Sequence, residues 1–205
     1  MAVYKMEKAT AKHRFQWTLN QRLLQRLDDG GLDSLVEKHM LYTAQAIGLC
    51  AENKSSDISL DLIQVGWKIK ELSDSIDHRI SLLAKEDYPK LSPLFYLRTQ
   101  KMLTYIAKRC SGKDCAEHGR VHDQATQEAI ETLARIEEQK PTETYTAATL
   151  AQWDLYMQRA LSNQHNNDSD GFYQNLSQLV TVSQNFGAEF QDLIEPIEPV
   201  RKRSH

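Results

Sequence analysis

From Ile58 to Leu83 the apolar residues Ile58, Leu62, Val65, Ile69, Leu72, Ile76, Ile80 and Leu83 recur in steps of four and three, with one extra four. An α-helix returns to the same face at that spacing, so this stretch is read as a helix. At about 1.5 Å per residue it forms a rod of roughly 40 Å. A seam of this kind must pack on other helices. Those helices belong either to a second copy, in a coiled coil, or to neighbours in an antiparallel bundle. Leu60, Trp67 and Leu82 widen the apolar face beyond a narrow seam, which favours the bundle. A homodimer through the long helix is the other use of the same face.

The rest of the chain reads in the same period. Among 205 residues there are only 8 Gly and 5 Pro, too few turn signals for a fold of many short strands. Helices are expected over about 10–28, 32–51, 58–86, 93–109, 114–139, 146–163 and 172–194. Gly30-Gly31 ends the first, Pro89 ends the third, and Ser92-Pro93 starts the fourth. Segment 163–171 is read as loop. No segment has a strand pattern, and no repeat of 30–50 residues is visible. The expected fold class is therefore all-α: a helical bundle of about seven helices with one long central helix, about 58–86. A single all-helical domain over 1–195 is expected, divisible into a basic part, 1–110, and an acidic part, 114–195. Residues 196–205 are read as a flexible charged tail.

The start of the chain has no apolar run of the secretory kind, and no stretch approaches the ~18 apolar residues of a membrane span. Three cysteines are too few and too odd for a disulfide scaffold. The expected setting is the cytoplasm, with no membrane partner. Cys50, in the apolar run from Ala44 to Ala51, is read as core.

Net charge is −3, unevenly spread. Residues 1–122 carry 19 Lys+Arg against 15 Asp+Glu, residues 123–199 carry 3 against 13, and Arg201, Lys202 and Arg203 are basic again. Such asymmetry points to an anionic partner, or to halves that attract each other. The most basic stretch is 88–113, which has no acid. It contains Lys90, Arg98, Lys101, Lys108, Arg109 and Lys113, with Tyr105 interleaved. Lysines, arginines and a tyrosine on the helix 93–109 are the residue types that hold phosphates and stack a base. The same residues suit an acidic protein surface, or a solvated face paired with the acidic half. A second basic stretch, from Lys5 to Arg26, has Glu7 as its one acid.

One cluster has the residue types of a metal site: Cys110, Cys115, His118 and His122, spaced C-x4-C-x2-H-x3-H. His118 and His122 share a helix face, Cys115 lies one turn earlier, and Cys110 reaches across Ser111-Gly112. Four such ligands would make a closed, structural zinc site. The simpler reading is reduced thiols with surface histidines, and no cofactor.

Catalytic patterns are lacking. No Gly-rich phosphate loop, no G-x-S-x-G and no H-E-x-x-H occurs, and neither Glu37/His39 nor Glu117/His118 has the spacing of a di-iron helix pair. The expectation is a non-catalytic helical binding protein, an adaptor or regulator that docks on a macromolecular partner, most simply a protein. The alternative is a nucleic-acid-binding protein or nucleoprotein-complex subunit that uses the helix 93–109, braced by zinc.

Overall fold

The computed structural model describes residues 10–27, 29–53, 58–110, 116–140 and 143–195, with the side chains of 109–110, 116–123 and 125 left aside. The described residues form seven helices: α1 (Ala11–Gln25), α2 (Leu32–Glu52), α3 (Leu60–Leu83), α4 (Tyr88–Cys110), α5 (Ala116–Gln139), α6 (Thr146–His165) and α7 (Ser169–Ile194). There is no strand among the described residues. The all-α bundle read from periodicity is what the chain forms. No helix among the described residues is long and apolar enough to cross a membrane.

Local chemistry explains the ends. Thr10, Ser59 and Asp168 stand before α1, α3 and α7, and their side-chain oxygens accept hydrogen bonds from His13 N, Leu62 N and Gly171 N. These bonds satisfy backbone donors that a first helical turn leaves unpaired. The long third helix ends at Leu83 rather than at about 86, and two other boundaries differ more from the sequence reading. The fourth helix begins at Tyr88, not at Pro93, because Asp87 O accepts from Lys90 N (2.9 Å) and Leu91 N (3.0 Å). Pro89 therefore sits in the first turn, where a missing N–H costs nothing, and Pro93 removes one donor a turn later. The segment read as loop over 163–171 is mostly helical. Asn167 takes the left-handed conformation (φ 59°), which reverses the chain in the short connection before Asp168 caps α7.

Packing centres on α2 and α7 rather than on α3. Helix α7 lies against α6, α2 and α1, and α2 also lies against α3 and α4. The main neighbours of α3 are α2 and α4. The reason is composition around each helix: α2 buries residues on most of its circumference, from Leu32 to Cys50, whereas α3 keeps a wide polar side. A glycine brings the central pair together. A Cβ on Gly187 would stand 2.5 Å from Asp33 O, so only glycine admits so close an approach of α7 to α2. Buried residues from all seven helices join one apolar cluster, with Trp153 and Phe190 among its largest fully buried members. Phe95 on α4 meets Phe190 on α7 edge to face, with centroids 5.4 Å apart.

Charged residues lock the α1–α2 hairpin from inside. Glu37 is fully buried, and both of its oxygens are used. Arg22 Nε donates to Oε1 at 2.9 Å, and Arg26 Nε donates to Oε2 at 2.9 Å. Arg26 also reaches Asp29 (2.7 Å) and Asp33 (3.2 Å). At the other end of α2, Glu52 pairs with Lys12 (2.9 Å) and accepts from the Tyr173 hydroxyl (2.9 Å). Burial, and then this hydrogen bond to Glu52, raise the Tyr173 pKa. Of the basic stretch read from Lys5 to Arg26, Lys12, Arg22 and Arg26 are spent on ion pairs that hold the fold, and Lys5 and Lys8 lie outside the described residues.

Candidate docking surface

The basic helix is the first place to look, and the structure divides its residues. Arg98 is a correction: it is buried and turned into the bundle. Its Nη1 donates to Thr126 Oγ1 on α5 at 3.0 Å, and its guanidinium lies 4.9 Å over the Trp153 ring of α6. Burial lowers its pKa to about 10, against the opposing pull of Asp154, so it stays cationic at neutral pH. The sequence contains the signal for this. Arg98 follows Phe95 by three and precedes Met102 by four, and both of those are core residues. Lys101 and Lys108 are half-buried, as is Tyr105, which packs on the core cluster. Burial lowers the pKa of Lys101, and Glu128 on α5 opposes that shift. Lys90 is exposed and stands 3.9 Å from Asp87. The side chain of Arg109 and the whole of Lys113 lie outside the described residues. So do Cys115 and the side chains of Cys110, His118 and His122, and with them the zinc reading. Among the described residues, no group of three or more His, Cys, Asp or Glu is arranged to hold a metal ion.

Beside Arg98 lies a second buried polar group that sequence reasoning passed over. His39 on α2 is buried, with Nε2 2.9 Å from Thr99 Oγ1 and its ring edge to face with Phe95. Burial, and then the Arg98 charge, push its pKa from 6.5 down to about 3. The imidazole is therefore neutral in the fold, while in the unfolded chain it takes a proton below about 6.5. The unfolded state then binds more protons, so this contribution to stability is complete above pH 6.5 and is lost as pH falls toward 3. The expected slope is up to about 1.4 kcal/mol per pH unit. Urea unfolding at pH 7 and at pH 5 checks it. Wild type should lose more stability between the two than His39→Gln does, and equal losses would remove His39 from the account.

The contacts of these buried groups are those of a core. The surface offers something different. Large apolar side chains stand in solvent as two strips. One is on α1 and the turn that follows it, where Trp17, Leu24 and Leu27 are exposed. The other begins α3: Leu60 and Trp67 are each 68% exposed, with Ile58 and Ile63 beside them. Helical spacing produces both strips, since Trp17 to Leu24 and Leu60 to Trp67 are each two turns.

The α3 strip borders a groove. Ile58, Ile63, Trp67, Leu103, Ile106 and Ala107 line a depression of about 220 Å³ between α3 and α4, with Lys70 at its rim. Ile58 and Ile63 occupy the two positions that a hydrophobic staple joins at a helix start. Gly66 forms part of the wall, and a Cβ there would lie 3.3 Å from Leu103 Cδ2, so the glycine lets α4 close on α3. The walls are almost wholly hydrocarbon. Such a groove can take an apolar side chain from a partner, and its one charged residue, Lys70, donates to Asp74 at 2.6 Å. Of its residues, the sequence singles out Trp67 as widening the apolar face of the long helix and Ile58 as part of its seam. Only the packing of α3 shows that Ile58, Ile63 and Trp67 stay uncovered by the described helices.

Compared with protein-family models, with curated proteins and with solved structures, the chain matches none.

Proposed function

We propose that this protein is a non-catalytic helical docking protein, an adaptor or regulator of the cytoplasm, that engages a protein partner through its exposed apolar strips. One observation carries this reading. Seven of the thirteen large apolar residues exposed among the described residues fall in two strips, one at α1 and one, with a groove beside it, at the start of α3. Contiguous apolar surface of a few hundred Å² or more marks interaction sites on soluble proteins. The polar groups that might suggest chemistry, His39, Arg98 and Glu37, are instead buried parts of the fold. A nucleic-acid role through the helix 93–109 has less support, because Arg98 is spent on Thr126 and Trp153 and Lys101 lies beside Glu128.

The test is photo-cross-linking in an extract of the protein's own cells. A photoreactive residue is placed at Trp17, at Trp67, or at the exposed controls Gln127 and Glu138 on α5. Discrete adducts from the two strip positions and none from the controls are the expected result. Adducts absent from the strips, or equal at all four positions, would sink the reading.

A further inference from the structure

We infer that α1 is a strap seated in a helix-reading groove between α2 and α7. When the strap lifts, the groove takes a partner's amphipathic helix that has a central aromatic residue and basic residues toward both ends. This groove is neither of the exposed strips, so the inference does not rest on them. Its chemistry is legible in the helix that now fills it. Phe15 enters at Gly48, where a Cβ would stand 3.3 Å from its ring and 3.5 Å from Leu176 of α7. The Tyr173 ring of α7 lies beside it, with centroids 6.0 Å apart. Ala11 and Leu19, one turn to either side, are buried with it. A carboxylate of α2 marks each end of the groove. Glu52 holds Lys12 at 2.9 Å, and Glu37 holds Arg22 and Arg26. Glu37 and Glu52 are fifteen residues apart, and Lys12 and Arg26 fourteen, so antiparallel helices meet at both ends with Phe15 at Gly48. Apolar anchors a turn apart fill a groove of this kind, and the charges fix the direction and position of the helix.

Three features make α1 the removable member. Three of its residues are buried, where α2 buries thirteen and α7 twelve, so lifting it uncovers far less core than moving either neighbour. The rest of its hold is ionic. Once α1 leaves, Glu37, Arg22 and Arg26 return to water, and their hydration offsets much of what the pairs contribute. Finally, α1 is joined to α2 through Gly30-Gly31, and a Cβ at Gly30 would meet nothing within 4 Å. Two glycines give that joint the backbone freedom to swing while α2 stays in place. A partner helix then competes with α1, and its apparent affinity is set by the fraction of molecules in which the strap is open.

Hydrogen exchange of the full wild-type chain tests the release. Amides of residues 16–25 should be about tenfold or more less protected than those of 40–50 and 176–190, as a partial opening requires. Equal protection in all three segments would overturn the inference. A fluorescent peptide of residues 10–27 tests the groove. It should bind the Phe15→Ala chain about tenfold more tightly than wild type, because that change loosens the resident strap and leaves the groove unaltered. The same peptide carrying Phe15→Ala should bind neither chain. Circular dichroism shows whether the other six helices keep their structure in the loosened chain. If it does not fold, Leu19→Ala loosens the strap at the next turn and takes its place. A peptide that binds the loosened chain no better than wild type also overturns the inference.

Discussion

Arg98→Glu is expected to abolish cooperative folding. The substitution puts a carboxylate where a guanidinium now donates to Thr126 and stacks on Trp153, and it does so within the field of Asp154. An uncompensated charge in a dry interior costs several kcal/mol, a large share of the roughly 5–15 kcal/mol that holds a domain together. Arg98→Lys should also be harmful, because an ammonium lacks the planar face and the fork that fit this site. Arg98→Met keeps the bulk but strands Asp154 without its cation, and should cost about 3–5 kcal/mol. Lys90→Glu, on the same helix but in solvent, should change stability by less than about 0.5 kcal/mol. Circular dichroism and urea unfolding of the set decide the matter. An Arg98→Glu protein that unfolds like wild type would show that Arg98 faces solvent. The same result bears on any binding assay, since a charge reversal at Arg98 removes the fold rather than a contact.

Glu37→Ala should be the next most damaging change. It leaves two guanidiniums, each about one-fifth exposed, without the carboxylate between them. Breaking a buried ion cluster by removing one member costs about 3–5 kcal/mol, and the remaining solvent edge of Arg22 and Arg26 places this case at the lower end. For a chain of this size each kcal/mol is worth roughly 2–4 °C, so melting should fall by about 6–12 °C. Replacing Arg22, Arg26 and Glu37 together by apolar residues of similar length should recover most of that loss, because no fully buried charge is then left unpaired, and Asp29 and Asp33, which lose Arg26, keep access to water. If the single and the triple variants melt alike, the cluster acts through packing and not through its charges. The location is decisive for the fold, since α1 is tied to α2 chiefly through these side chains and the α1–α7 packing.

The helices and most of their limits were legible because they depend on neighbours in the chain. Apolar residues every three or four positions set the helix faces, and Ser59 and Thr10 act as caps within one turn of where they stand. The misplaced limits were also local, but subtler. Pro89 was read as a stop when the bond from Asp87 makes it a first-turn residue, and Asp168 with Asn167 was read as loop when the pair starts a helix. The candidate site was legible only in part. Trp67 and Leu60 were visible as extra apolar positions on the long helix, yet the sequence does not say which of them a neighbour will cover. Arg98 was grouped with lysines by its charge, although its offsets from Phe95 and Met102 assign it to the inner face.

By itself the sequence determined an all-helical chain, the order of its helices and the buried side of each, because periodicity and capping act over a few residues. The tertiary structure alone decided that α2 and α7, joined at Gly187, form the centre and that α3 flanks them. It also decided that Arg98, His39 and Glu37 belong to the interior and that Trp17 and Trp67 do not. Burial is a property of a pair of surfaces. A helix face carries a demand to be covered, but which helix meets that demand depends on contacts between residues far apart in the chain.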